Sequence, residues 1–174
     1  MIDPAAFLSA HGRRRYGEAV TQLEHALQCA ALAAEAGADE ELLLAALLHD
    51  LGHLTGAGRR EAPGRHHGQV GAALVRAFVP ARVAWLIEHH VLAKRYLCTV
   101  DPIYAAKLSG ASRRSLARQG GLLPPAERVV LEGHPWLADV LRLRRWDDQA
   151  KSPGARVPPL STWRPLLAQY FPAA

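Results

Sequence analysis

The sequence predicts an all-α helical bundle, and three observations carry that reading. Its 174 residues are 49% hydrophobic but only 6% aromatic, with Ala and Leu, both strong helix formers, in the lead. No stretch alternates apolar and polar residues as a half-buried strand does. Helix-start signals recur instead: Asp3-Pro4, Thr21-Gln22-Leu23-Glu24 and Asp101-Pro102 each set a capping side chain before a helical run. A chain of this length carries one domain with a core of its own.

The elements follow in order. Asp3-Pro4 opens a short helix through Ala5 to Ala10 that stops at Gly12. Gly12 to Gly17 is a basic loop carrying Tyr16, with Glu18 just beyond. The capping box at Thr21 starts a helix that runs to Gly37, with Leu23, Ala26, Leu27, Ala30 and Ala34 as its apolar stripe and His25 beside it. Asp39 starts the next helix, an apolar run ending in His49-Asp50, followed by Gly52 and His53. A short connection makes these two helices antiparallel, which brings His25 toward His49 and Asp50.

Leu54 to Arg65 holds Gly56, Gly58, Pro63 and Gly64 and reads as a loop over the site. His66-His67 opens a helix through Val70, Leu74 and Phe78 to Pro80, on which Gly71-Ala72 allow close packing. Arg82 to Val91 forms another helix, ending in His89-His90, with Lys94 one turn on. The helix after Asp101-Pro102 carries Tyr104 and Lys107 and breaks near Gly110. Ser112, Ser115 and Gln119 recur at helical steps before Gly120-Gly121, and Pro124-Pro125 starts a further short helix. Pro135 begins the last long helix, where Arg144 lies three residues before Asp147. A Pro-rich loop, Pro153 to Pro159, leads to a closing helix from Thr162 to about Gln169.

Charge and cysteines narrow the function classes. The net charge is +5, but the basic residues form no long tract, which favours a small anionic substrate over nucleic acid. No apolar run is long enough to cross a bilayer, and no signal pattern opens the chain. Cys29 and Cys98 have no CxxC partner, so a reducing cytoplasm is expected.

A lone His-Asp pair at a helix end is ordinarily a capped turn. Here His25, His49-Asp50, His67, His90 and Asp147 follow one another in the order of the helices. A buried carboxylate is costly unless a cation neutralises it. Four imidazoles and two carboxylates exceed the needs of one metal and suit two if Asp50 bridges. Mixed nitrogen and oxygen donors suit iron, manganese or zinc.

The same residues carry a resemblance. H…HD…D at helical spacing resembles the HD-domain superfamily. Thr21 through His25, Ala45 through His53, His90-Val91-Leu92-Ala93-Lys94-Arg95-Tyr96-Leu97, Leu108 through Ser112 with Ser115-Leu116 and Gln119-Gly120-Gly121, and Arg144-Arg145-Trp146-Asp147-Asp148 resemble its oxygenase branch. That branch comprises the PhnZ-like, myo-inositol-oxygenase-related diiron proteins of phosphonate catabolism. The match runs from about Tyr16 to Lys151. It implies a single HD domain over 1–174, with a core of about 16–151 and a C-terminal helical extension.

The resemblance also implies a site. Two irons, Fe(II)/Fe(III), would be bound: one by His25, His49, Asp50 and Asp147, the other by His67 and His90, with Asp50 shared. His67 is chosen over His66 by its distance from Gly71-Ala72, and His90 over His89 by its place before Val91. Lys94, His53, Ser112, Ser115 and Arg144 would hold the phosphonate, with Asp50, His53 and Lys94 as the catalytic group. Tyr16 and Glu18 would plug an iron and receive a substrate amine. The implied reaction uses O2 to cleave the carbon–phosphorus bond of a 1-hydroxyphosphonate. With 2-amino-1-hydroxyethylphosphonate, the products would be phosphate and glycine. A primary amine, a trimethylammonium or no nitrogen all remain open. The alternatives are an HD phosphohydrolase acting on a nucleotide or phosphate ester, and a binding module whose metals are structural.

Overall fold

Capping chemistry sets where the helices begin. In the computed structural model, which describes residues 2–15, 18–55 and 66–171, Asp3 accepts hydrogen bonds from the Ala5 and Ala6 amides and starts α1 (Pro4–His11). Thr21 and Glu24 close a reciprocal capping box on α2 (Gln22–Glu35). The Asp39 carboxylate accepts from the Leu42 amide at the start of α3 (Glu40–Leu48). Each bond satisfies an amide that a helix leaves unpaired. A 3-10 turn, Leu51–Leu54, follows α3. Then come α4 (His67–Val75), α5 (Ala81–Val100), α6 (Pro102–Lys107), α7 (Gly110–Arg118), α8 (Pro125–Glu132), α9 (Leu137–Gln149) and α10 (Leu160–Tyr170). No strand occurs among the described residues, so the all-α expectation holds. Tyr16 and most of the expected loop, 56–65, lie outside the described residues.

The core is built around α3. Leu42, Leu44, Leu47 and Leu48 are fully buried, and so are Leu86 and Ile87 of α5 and Leu143 of α9. A helix apolar all round must be enclosed by its neighbours, and α2, α5, α9 and α10 all pack on α3. Gly37, at φ 66°, takes the left-handed conformation that reverses the chain between α2 and α3. Trp163, Leu167 and Phe171 join the cluster that holds Ala5 and Leu8, so α10 closes the bundle against α1.

Two helix ends differ from expectation. The helix that carries His90 does not stop at Val91 but continues to Val100 as one 20-residue α5. Ala93, Lys94, Arg95 and Leu97 are good helix formers, and nothing breaks the run before Pro102. His90 and Lys94 therefore share one rigid face. The helix opened at His67 ends at Val75, not near Pro80. The chain turns there, and Phe78 packs on Phe171 with ring centroids 5.7 Å apart.

Small residues bring α4 close. A Cβ on Gly52 would lie 2.0 Å from the His67 carbonyl oxygen, and one on Gly68 would lie 2.8 Å from that of Ile87. The 3-10 turn and α5 thus meet α4 backbone to backbone. This approach carries His53, His67 and His90 into one region.

Candidate metal centre

The antiparallel α2–α3 pair sets the start of one helix beside the end of the other. His25 Nε2 lies 3.1 Å from His49 Nε2. From α9, Asp147 brings Oδ1 to 3.4 Å from His25 Nε2 and Oδ2 to 3.7 Å from His49 Nε2. Asp50 stands between this group and a second one. Its Oδ2 is 3.5 Å from His25 Nε2, and its Oδ1 is 3.7 Å from His49, 3.3 Å from His67 and 3.6 Å from His90. His67 and His90 in turn approach each other, Nε2 to Nε2, at 2.9 Å. His53 sits at the edge, its Nε2 3.9 Å from Asp50 Oδ1 and its ring stacked on His67 at 3.8 Å. The six expected metal-ligand residues therefore converge, and His53 joins them.

The hydrogen bonds behind the rings show what this cluster accommodates. Nδ1–H of His25 donates to the Ala150 carbonyl (2.8 Å), that of His49 to Ala46 (2.9 Å) and that of His90 to Ile87 (2.7 Å). This fixes the tautomer, because each Nε2 then carries a lone pair. Lone pairs of His25 and His49 facing each other at 3.1 Å need a proton or a metal ion between them. Backbone acceptors of this kind commonly orient metal-bound histidines. Ligand-capable groups of His25, His49 and Asp147, and of Asp50, His53 and His67, each gather their donor atoms within 4.8 Å. The residues fit two metal ions.

The electrostatics agree. Burial lowers the His49 pKa to about 4, which leaves it neutral and able to coordinate. Burial also opposes charge on His25, but the Asp147 carboxylate outweighs it and raises the His25 pKa. Burial disfavours ionisation of Asp147, yet the Arg144 guanidinium and the His25 hydrogen bond hold its carboxyl well below the usual range.

The two histidine doublets resolve by position. His66 caps α4, with its Nδ1 accepting from the Gln69 amide, whereas His67 enters the cluster. His89 stacks on Trp85 at 4.2 Å, and His134 stacks on the same indole at 3.8 Å, whereas His90 turns inward.

Beside the metal ligands lies a layer of cations and hydroxyls. Lys94 Nζ donates to Ser115 Oγ at 2.7 Å, and Lys151 Nζ donates to Ser112 Oγ at 2.8 Å. Glu18 Oε1 accepts from Ser109 Oγ at 2.7 Å and pairs with Lys151 at 3.1 Å. Arg144 donates to Asp147 Oδ2 at 2.6 Å, to Asp148 through two nitrogens, and to the Tyr104 hydroxyl at 3.2 Å. Burial, then the nearby charge of Arg144, lowers the Lys94 pKa to about 7.

Four further participants were not singled out from the sequence as site residues. Asp148, Tyr104 and Lys151 lie in this layer. Gln28 exchanges two hydrogen bonds with the Ser152 backbone, at 2.9 and 3.0 Å, and so fixes the segment whose Ala150 carbonyl holds His25. Asp148 and Lys151 lie within four residues of Asp147 in the sequence, Asp148 on α9 and Lys151 just past its end, but Tyr104 and Gln28 meet the site only through tertiary packing.

A helical bundle that converges imidazoles and carboxylates from α2, α3, α4, α5 and α9 on one buried centre defines a metal-binding protein of the HD type. The chain belongs to the HD-domain family, whose model matches residues 23–125. It is 45% identical to hydroxymethylphosphonate dioxygenase of Gimesia maris over 158 residues, 88% of this chain and 79% of that protein. It is 36% identical to [1-hydroxy-2-(trimethylamino)ethyl]phosphonate dioxygenase (glycine-betaine-forming) of Leisingera caerulea, over 87% of this chain and 79% of that one. An uncharacterized protein of Acanthamoeba polyphaga mimivirus is also 36% identical, over 89% of this chain and 74% of its own length. No described helix is long and apolar enough to cross a membrane.

Proposed function

We propose that this protein is a diiron oxygenase that breaks the carbon–phosphorus bond of a 1-hydroxyphosphonate with O2, yielding phosphate and a carboxylate. The observation that carries the reading is Asp50, standing between two histidine groups in a chain 45% identical to hydroxymethylphosphonate dioxygenase. His25, His49 and Asp147 with Asp50 would hold one iron, and Asp50 with His67 and His90 the other. Irons held there would supply redox capacity toward dioxygen and Lewis acidity toward the substrate's hydroxyl and phosphonate oxygens. Phosphate and carboxylate together hold two more oxygen atoms than the substrate, so one dioxygen balances the reaction without a further reductant.

The chain's own residues supply the rest. Lys94, Ser112 and Ser115 line the side of the cluster where a phosphonate would be met by one charge and two hydroxyl donors, the pairing an oxyanion needs. His53 borders the same region. Arg144 braces Asp147 through a 2.6 Å bond and brings positive charge close to the anion site. A dianion beside Lys94 restores its ammonium form, because the opposite charge offsets its burial. We place the protein in a reducing cytoplasm, in keeping with Cys29 and Cys98, both free and buried.

The test uses iron-loaded protein with a panel of 1-hydroxyphosphonates and phosphate esters, in air and under argon. Phosphate released from a phosphonate in air alone supports the oxygenase. Phosphate released from a nucleotide or ester under argon assigns the chain to the metal-dependent phosphohydrolases instead.

A further inference from the structure

We infer that Gln28 is a positioning residue for one of the two metals. By clamping the backbone just past α9, it holds the Ala150 carbonyl that orients His25. Loosening that clamp releases the metal His25 binds and leaves the other in place. This rests on the two-metal reading above and goes beyond it, by making the two sites unequal and naming the residue responsible.

The inequality lies behind the histidines. His49 and His90 each donate Nδ1–H to a carbonyl three residues back in the chain, Ala46 and Ile87. Such a bond is set by the helix that carries the ring, so it forms wherever that helix forms. His25 donates instead to Ala150, 125 residues away, at 2.8 Å. Ala150 caps the end of α9, and α10 begins only at Leu160. The His25 ring is therefore oriented by how α2 docks against a segment between helices.

Gln28 fixes that docking. It follows His25 by three residues, on the same face of α2. Its side-chain amide donates to the Ser152 carbonyl at 2.9 Å and accepts from the Ser152 amide at 3.0 Å. Two reciprocal bonds to one residue set direction as well as distance. With the His25 bond to Ala150, α2 grips the segment at two points. Gln28 and His25 are each 5% exposed and Ala150 is fully buried, whereas Ser152 is exposed. Water can therefore take up the Ser152 groups when Gln28 is replaced, and the fold loses little. The cost falls on the orientation of His25. Partners that orient metal-bound histidines are worth about 10- to 100-fold in metal affinity.

The test is iron(II) binding under argon, by competition with a chelator, in wild type, Gln28→Met, His25→Ala and the double variant. Gln28→Met keeps the length of the side chain and removes both hydrogen bonds. It should weaken one of the two irons about 10- to 100-fold and leave the other within about twofold. In the His25→Ala background, the same replacement should change neither iron by more than about twofold, because Gln28 acts through His25. Gln28→Glu keeps the bond from the Ser152 amide and is the milder variant, so it should weaken the same iron by less. Equal weakening of both irons, or the full loss again in the His25→Ala background, overturns the proposal and makes Gln28 a staple of the fold. Two tightly held irons in both Gln28 variants overturn it as well, and leave the two-metal reading standing. A wild type that takes up no iron overturns both. Binding needs no turnover, so the outcome is independent of the oxygenase reaction.

Discussion

Asp50 meets His25 through Oδ2 at 3.5 Å and turns its other oxygen, Oδ1, toward His67 at 3.3 Å. One carboxylate thus faces both histidine groups, each with a different atom. Asp50→Asn keeps the shape but offers one acceptor oxygen and one donor nitrogen. The variant is expected to fall from about two bound metals per chain to about one, since a bridging site needs both oxygens anionic. Elemental analysis of protein reconstituted with excess iron measures this directly. Undiminished metal content in the variant would remove Asp50 from the bridging role.

Lys94 gives the site a pH dependence whose sign can be worked out. Its pKa is lowered from 10.5 to about 7, because burial disfavours the ammonium. Above that value the free enzyme loses the charge, and binding a dianion must take a proton up. Phosphonate affinity should therefore fall roughly tenfold per unit as pH rises from about 7. Stability moves the other way, rising with pH between about 7 and 10.5, because the unfolded chain holds the proton that the folded one gives up. Lys94→Arg should bind across the whole range, since guanidinium stays charged. Calorimetric titrations of wild type and variant at several pH values check both statements; parallel profiles would contradict the first.

Arg144 reaches Asp147 and Asp148 at once, as a planar fork. Lys cannot reproduce two such contacts from one ammonium. Arg144→Lys should weaken metal affinity about 10- to 100-fold by releasing Asp147 from its orientation. Competition with a chelator of known affinity gives the value, and circular dichroism should show the helices intact.

Gly52 tests how the fold positions the site. A Cβ there would sit 2.0 Å from the His67 carbonyl oxygen, a backbone atom that cannot swing aside. Gly52→Ala should cost about 1–3 kcal/mol by pushing the 3-10 turn off α4. It should also loosen metal binding, because His53 and His67 lie on the two parts forced apart. Thermal melts with and without iron read the two effects separately.

Much of this was legible in the sequence, because local chemistry decides it. Capping at Asp3, Thr21, Asp39 and Asp101 depends on neighbours two or three residues away, and each cap forms as read. The run from Leu42 to Leu48 is apolar all round and is duly enclosed. The order of His25, His49-Asp50, His67, His90 and Asp147 gave the ligand candidates, and these side chains converge. The end of α5 is not legible at the histidine doublet, which resembles a helix terminus, because the run of helix formers beyond it carries the helix on to Val100. Tyr104, Gln28 and the Glu18–Lys151 pair join residues far apart in the chain, and no periodicity encodes such meetings.

Metals gathered at Asp50 are proposed to use dioxygen to release phosphate from a phosphonate. An oxygen electrode coupled to a phosphate assay tests it most directly, with iron-loaded protein and hydroxymethylphosphonate. One dioxygen should be consumed for each phosphate released, with no phosphate formed under argon. Phosphate appearing without oxygen uptake would contradict it.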